Sequence, residues 1–188
     1  MFVILSLSGY AAALRLPDTG NARCYQLESP YAEIPCLGTG QDGAYSINPM
    51  SYTDNGNGTV TDNNTRLMWQ RLNDGSKYNW YRASGTYNAT SNPSSQNVCG
   101  AMNLGGHTDW RLPTKKELMS IVDYSVPYPG PTIMSAFFPN TVSSGYWSST
   151  TFASSPARAW SVDFYDGTDA SGSFKETNGY VRCVRNRL

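Results

Sequence analysis

The sequence predicts an α+β domain in which short antiparallel strands outnumber helices, and three observations carry that reading. Hydrophobic residues make up 39% of the 188 positions and charged residues only 15%. Gly, Ser, Thr and Asn fill the gaps between short apolar runs, which is the composition of a turn-rich sheet protein. Asn-Gly pairs at 55–58 supply the positive φ of tight hairpin turns, and only two segments, near 98–104 and 114–122, repeat apolar residues at helical spacing.

Residues 1–13, MFVILSLSGYAAA, form an apolar run ending in small residues, with an A-x-A site at Ala11-Ala12-Ala13. They read as a signal peptide, which places the mature chain in the secreted or cell-envelope space. Nothing later approaches the roughly 18 apolar residues of a membrane span. Residues 14–50 read as a short, disulfide-looped lead-in. Within them Leu16-Pro17-Asp18-Thr19-Gly20 spells a sortase sorting pattern, but such a signal lies just ahead of a C-terminal anchor, so the segment is read as a Pro-Asp turn.

Four cysteines, Cys24, Cys36, Cys99 and Cys183, are an even number with no C-x-x-C spacing, which favours disulfides over zinc in an exported chain. They admit three pairings. The short interval suggests Cys24 with Cys36, leaving Cys99 for Cys183.

Residues 51–188 read as the main domain. Tyr52-Thr53-Asp54, Thr59-Val60-Thr61-Asp62 and Arg66-Leu67-Met68-Trp69 alternate with Asn-rich turns, a strand-turn-strand-turn-strand pattern. Asp54, Asn57 and Asp62 bring the oxygen ligands of a partial calcium loop, although the spacing and closing Glu of a full loop are missing. Residues 73–97 are polar and loop-like. Val98, Cys99, Met102 and Leu104 then predict a short helix capped by Ser94 or Ser95. Thr114 and Glu117 form a capping box that starts a second helix, with Leu118, Ile121 and Val122 as its apolar stripe and the prolines at 127, 129 and 131 beyond it. Three strands follow, at 146–150, 159–164 and 180–184. Trp160, Val162 and Phe164 are expected on one face.

The formal net charge is zero, with 14 basic and 14 acidic side chains, so no whole-molecule field favours nucleic acid. Arg182, Arg185 and Arg187, and the Lys115-Lys116 pair, read as solvated surface. His107 is the single histidine, which excludes three-histidine metal sites and makes a Ser-His-Asp arrangement rest on one turn residue. No cofactor is implied, and the expectation is a binding protein, not an enzyme.

The segments DNGNGTVTDNNTRLMWQ at 54–70, GGHTDWRLPTKKEL at 105–118, YWSST at 146–150 and YVRCVR at 180–185 resemble, in this order, the C-terminal domain of the Legionella collagen-like adhesin, a bacterial domain family of unknown function. The resemblance runs from about Tyr52 to Arg185, and no collagen-like Gly-X-Y tract accompanies it. It implies a C-type-lectin-like fold: a twisted antiparallel sheet, two short helices and long loops. It also implies an extracellular setting and an adhesion role, with a polysaccharide or host-matrix glycan as the ligand. In the family's Asp-Trp-Arg-Leu-Pro motif, Trp110 is expected in the core and Asp109 in a polar network with Arg111.

Ligand contact is expected from the two late loops, 151–158 and 165–175, through Phe152, Arg158, Tyr165, Asp166, Asp169 and Lys175. Aromatic faces stack on the apolar sides of sugars, and Arg, Lys and Asp supply charged hydrogen bonds. Trp69, Trp147 and Trp160 are expected in the core, and Trp80, in its polar context, is the tryptophan expected to be exposed. Two other readings differ in class. Domains of this fold also serve as variable protein-binding scaffolds of diversity-generating retroelements. The ending Asn178-Gly179-Tyr180-Val181-Arg182-Cys183 is similar to that of formylglycine-generating oxidases, whose chemistry needs two nearby free thiols.

Overall fold

The computed structural model describes residues 15–186; the predicted signal peptide and Arg187 lie outside the described residues. In chain order, β1 (Cys24–Tyr25) and β2 (Glu33–Ile34) form a small ribbon, followed by a 3-10 turn at Asp42–Ala44. Strands β3 (Tyr52–Asp54), β4 (Thr59–Asp62) and β5 (Leu67–Gln70) make the predicted meander. Next come β6 (Tyr78–Asn79), α1 (Trp80–Ser84) and α2 (Lys115–Met119). The last third holds β7 (Gly145–Thr151), β8 (Arg158–Asp163), β9 (Asp169–Phe174), β10 (Asn178–Gly179) and β11 (Val184–Asn186).

The strands divide into two main antiparallel sheets, ordered β11-β5-β4-β3 and β7-β8-β9, with the ribbon β10-β6 beside them. The predicted strand at 180–184 is the link between the sheets. Tyr180 bridges in parallel to Tyr146, and Val184 begins the strand that pairs with Trp69. Between them the chain stays extended because Gln70 serves Cys183 twice: the Gln70 backbone N–H donates to the Cys183 carbonyl at 3.0 Å, and Gln70 Oε1 accepts the Cys183 N–H at 3.1 Å.

Both faces of these strands are covered, which explains why neighbouring residues are buried on opposite sides. Trp69, Tyr146, Val162 and Val184 join Leu118, Ile121, Val122 and Phe138 in one core cluster. Met68, Trp147, Ala159 and Cys183 join Trp80, Cys99 and Trp110 in the other. Both disulfides have the connectivity the intervals suggested, Cys24–Cys36 and Cys99–Cys183, and the second is fully buried in the second cluster. The result is an α+β, C-type-lectin-like fold.

The helices correct the sequence reading. α2 is present with its full capping box, the Thr114 hydroxyl accepting from the Glu117 N–H and the Glu117 carboxylate accepting from the Thr114 N–H. The helix predicted at 98–104 is only one turn, initiated by Asn97, whose side chain accepts the Gly100 N–H, and not by Ser94 or Ser95. The other helix lies in the segment read as loop. Asn79 caps α1 by accepting the Arg82 N–H at 3.0 Å, and Gly85 ends it at φ 77°.

The surface arginines are corrected as well. Arg182 is fully buried and Arg185 nearly so. Arg182 reaches the carbonyls of Gln70 and Arg71 at 2.7 and 2.8 Å and the Thr141 hydroxyl at 2.8 Å, beneath the Phe138 ring at 4.9 Å. Burial pushes its guanidinium down to about 10, still far above neutrality.

Candidate functional site

β7 and β8 are joined by a compact loop in which the Phe152 N–H donates to the Arg158 carbonyl at 2.9 Å, and the Ser155 and Arg158 N–H groups continue the turn. This brings Phe152 back over β8, where its ring meets Trp160 edge to face at 5.3 Å. Arg158 lies across the strand pair from Phe174, its guanidinium 4.1 Å from the Phe174 ring centroid. Gly172 makes this possible. At φ +72° it has no side chain, and a Cβ there would stand 3.0 Å from Arg158 Cδ and 3.2 Å from Phe152 Cδ1. Phe174 is half exposed, and Phe152, Arg158 and Trp160 are partly exposed.

Lys115, the first residue of α2, extends the row. Its Nζ sits 3.6 Å from the Trp160 ring centroid and pairs with Asp169, whose carboxyl is held below the usual range chiefly by that bond. Arg158, in contrast, has no ion-pair partner among the described residues. It is also the single cation between Lys116 and Lys175. The surface is thus a row of three aromatic rings carrying two cations, of which the Arg158 guanidinium has no carboxylate partner among the described residues and keeps N–H groups able to donate to hydroxyl or anionic oxygens.

Trp160 stands outside the core, contrary to the sequence expectation. The register of β8 against β9 shifts between Ala159 and Ser161, which buries Ala159 and leaves Trp160 partly exposed, while Val162 and Phe164 keep the inward positions predicted for them. Trp80 corrects the opposite expectation. It is buried as the first residue of α1, and its Nε1 donates to the Ser148 carbonyl at 2.8 Å. Trp69, Trp110 and Trp147 are in the core as expected.

The six predicted contact residues fall into three places. Phe152, Arg158 and Asp169 belong to the row just described. Tyr165 and Asp166 lie at the far end of the β8–β9 hairpin, where Tyr165 meets Tyr128 edge to face at 4.8 Å and Asp166 accepts from the Thr168 N–H and hydroxyl. Lys175 is buried. Its ammonium lies 3.9 Å from the Trp80 ring centroid and donates to the Thr151 hydroxyl at 3.0 Å, and burial pushes it below the usual lysine range. The loop predicted at 165–175 is mostly strand, β9, with a turn at its first residues and another that begins at its end with Lys175.

The partial calcium ligands are spent on separate local bonds. Asp54 accepts the Gly56 N–H and pairs with Arg71 at 3.0 Å, while Asn57 accepts the Thr59 hydroxyl. Asp62 sits at the other end of the hairpin, opposite Tyr52, and accepts from Asn64 and Thr65. Among the described residues no three His, Cys, Asp or Glu side chains gather into a metal site. Asp109 pairs with Arg185, not Arg111, which instead makes a two-point pair with Glu117 at 2.7 and 2.8 Å.

A family profile described as the Lcl C-terminal domain matches residues 58–185. The match contains the whole aromatic row and the Cys99–Cys183 bridge and leaves out the lead-in. No curated protein matches the chain.

Proposed function

The chain belongs to the Lcl C-terminal domain family, and from that premise we propose that it is an exported binding and adhesion module that recognises an extracellular polysaccharide or host-matrix glycan. The observation that carries the reading is the Arg158 guanidinium seated on Phe174 beside Phe152 and Trp160, with no carboxylate partner among the described residues. Two disulfides support an oxidising compartment, and no helix among the described residues is long and apolar enough to cross a membrane. A binding role, as opposed to an oxidase of the formylglycine-generating type, is supported by Cys183, whose sulfur is committed to Cys99.

A glycan array probed with the purified chain, with and without chelator, tests this. Binding is expected to survive chelation and to be lost in Arg158→Ala and Trp160→Ala proteins that retain the parent melting temperature. An array with no bound glycan in any condition removes the reading.

A further inference from the structure

A cleft of about 250 Å³ lies where the segments joined by the Cys99–Cys183 bridge meet β5, bounded by Gln70, Asp74, Tyr78, Val98, Met102 and Val181. Val181 belongs to the second core cluster and Val98 and Met102 pack against it, so together they form an apolar wall. Gln70 is only 7% exposed. Its Oε1 accepts the Cys183 backbone N–H at 3.1 Å. Because a backbone N–H can only donate, this bond fixes the carboxamide with its oxygen on Cys183 and leaves its NH2 for another acceptor. That NH2 meets no acceptor among the described residues, although Gln70 lines the cleft.

At the rim, Asp74 Oδ2 accepts the Tyr78 hydroxyl at 2.5 Å and Oδ1 accepts the Ser76 N–H at 2.9 Å. Each carboxylate oxygen keeps a further lone pair for a donor. The cleft therefore offers apolar side chains, one amide donor without a protein acceptor among the described residues, and one acceptor at the exposed Asp74.

We infer that this cleft is a subsite for an acetamido group, the N-acetyl substituent of an amino sugar. The group's methyl matches the wall of Val98, Met102 and Val181. Its carbonyl accepts from Gln70 Nε2, and its N–H donates to Asp74. A plain hexose would set hydroxyls against the apolar wall, and an alkyl chain would leave the Gln70 donor unpaired. The kind of ligand rests on the glycan reading above, but the cleft shares no residue with the Arg158 row, so the two sites fail separately.

Saturation-transfer NMR with the full chain tests it, using the methyl glycosides of N-acetylglucosamine and N-acetylgalactosamine as probes and glucose, galactose and glucosamine as controls. The acetyl methyl protons are expected to take up the most saturation, with amide shifts at Gln70, Val98 and Val181. Gln70→Glu keeps an oxygen for the Cys183 N–H but has no NH2, and should bind about tenfold more weakly. Asp74→Ala, at an exposed position, removes the acceptor and should also weaken binding without unfolding the chain. An equal response to glucosamine or glucose overturns the inference, and so does a folded Gln70→Glu protein with parental affinity. If Gln70→Glu does not fold, an Asp74→Ala protein with unchanged affinity overturns it. Array binding lost in every form while the acetyl response persists removes the Arg158 reading and keeps the subsite; the converse keeps only the Arg158 reading.

Discussion

Asp109 and Arg185 meet in a two-point ion pair, Oδ1 to Nε at 2.6 Å and Oδ2 to Nη2 at 3.1 Å, which ties the Asp-Trp-Arg-Leu-Pro segment to β11. Beside it, Arg111 bonds Glu117 of α2 and also the Asn186 side chain, so two carboxylates and two guanidiniums hold the helix start and the last strand together.

This arrangement predicts acid sensitivity. The hydrogen bonds from Arg185 hold the Asp109 carboxyl below the usual range. Burial works against ionisation of Glu117, but bonds from Arg111 and the Thr114 N–H outweigh it and also leave that carboxyl low. Both folded values lie below the unfolded ones, about 3.9 for Asp and 4.3 for Glu. Their stabilisation is therefore complete above those values and is lost as pH falls through the folded ones. Melting temperature should be flat from pH 7 to about 5 and should drop below about 4. In an Asp109→Asn, Glu117→Gln double variant the acid limb should be shallower, and an unchanged limb would show that the two pairs are not linked to folding.

Arg182 should be among the least replaceable side chains in the domain. It is fully buried, without a carboxylate partner among the described residues, and its fork spans two carbonyls and a hydroxyl. Arg182→Ala leaves those acceptors unpaired above a cavity and should cost about 3–5 kcal/mol in urea unfolding. Arg182→Lys should recover little of that loss, because a single ammonium cannot match the planar fork.

How much of this was legible follows from how local each signal is. The α2 capping box needs only Thr114 and Glu117 three residues apart, and the hairpin turns need only their Asn-Gly pairs; both are where the sequence places them. The α1 signals, Asn79 before and Gly85 after, were equally local but were masked by the polar segment around them. The exposure of Trp160 and the burial of Trp80 were not legible, since they depend on a register shift against β9 and on a carbonyl 68 residues away. The same holds for Arg182, whose backbone acceptors are more than a hundred residues distant in sequence. Within the candidate site, Phe152 and Arg158 were legible as loop residues, whereas Lys115 and Trp160 join it only through the packing of α2 on β8.

The two disulfides should contribute unequally. Cys99–Cys183 spans 84 residues and Cys24–Cys36 spans 12. Loop-closure entropy then gives about 4.6 kcal/mol for the long bridge and about 2.8 kcal/mol for the short one. The long bridge also lies inside a core cluster, so a Cys99→Ala, Cys183→Ala variant should unfold at markedly lower denaturant than the parent. A Cys24→Ala, Cys36→Ala variant should lose less and keep the packing of Trp69 and Trp147, read from near-ultraviolet dichroism. Equal losses in the two variants would contradict this order.

The sharpest separation of binding from folding lies in two cations that the sequence grouped together. Arg158 rests on Phe174 at the surface, and Phe174 belongs to neither core cluster. Arg158→Ala should change unfolding free energy by no more than about 0.5 kcal/mol while abolishing glycan capture. Lys175 is buried over Trp80 and bonded to Thr151. Lys175→Met should cost about 1–2 kcal/mol, because it removes a desolvated cation-π contact and leaves the Thr151 hydroxyl without that partner. At a temperature where both variants remain folded, Lys175→Met should bind as the parent does. Paired denaturation and binding measurements on these two proteins decide the matter: a Lys175→Met protein that is fully stable yet blind to glycan would place the contact surface around Trp80, and an Arg158→Ala protein with parental binding would remove the guanidinium from it.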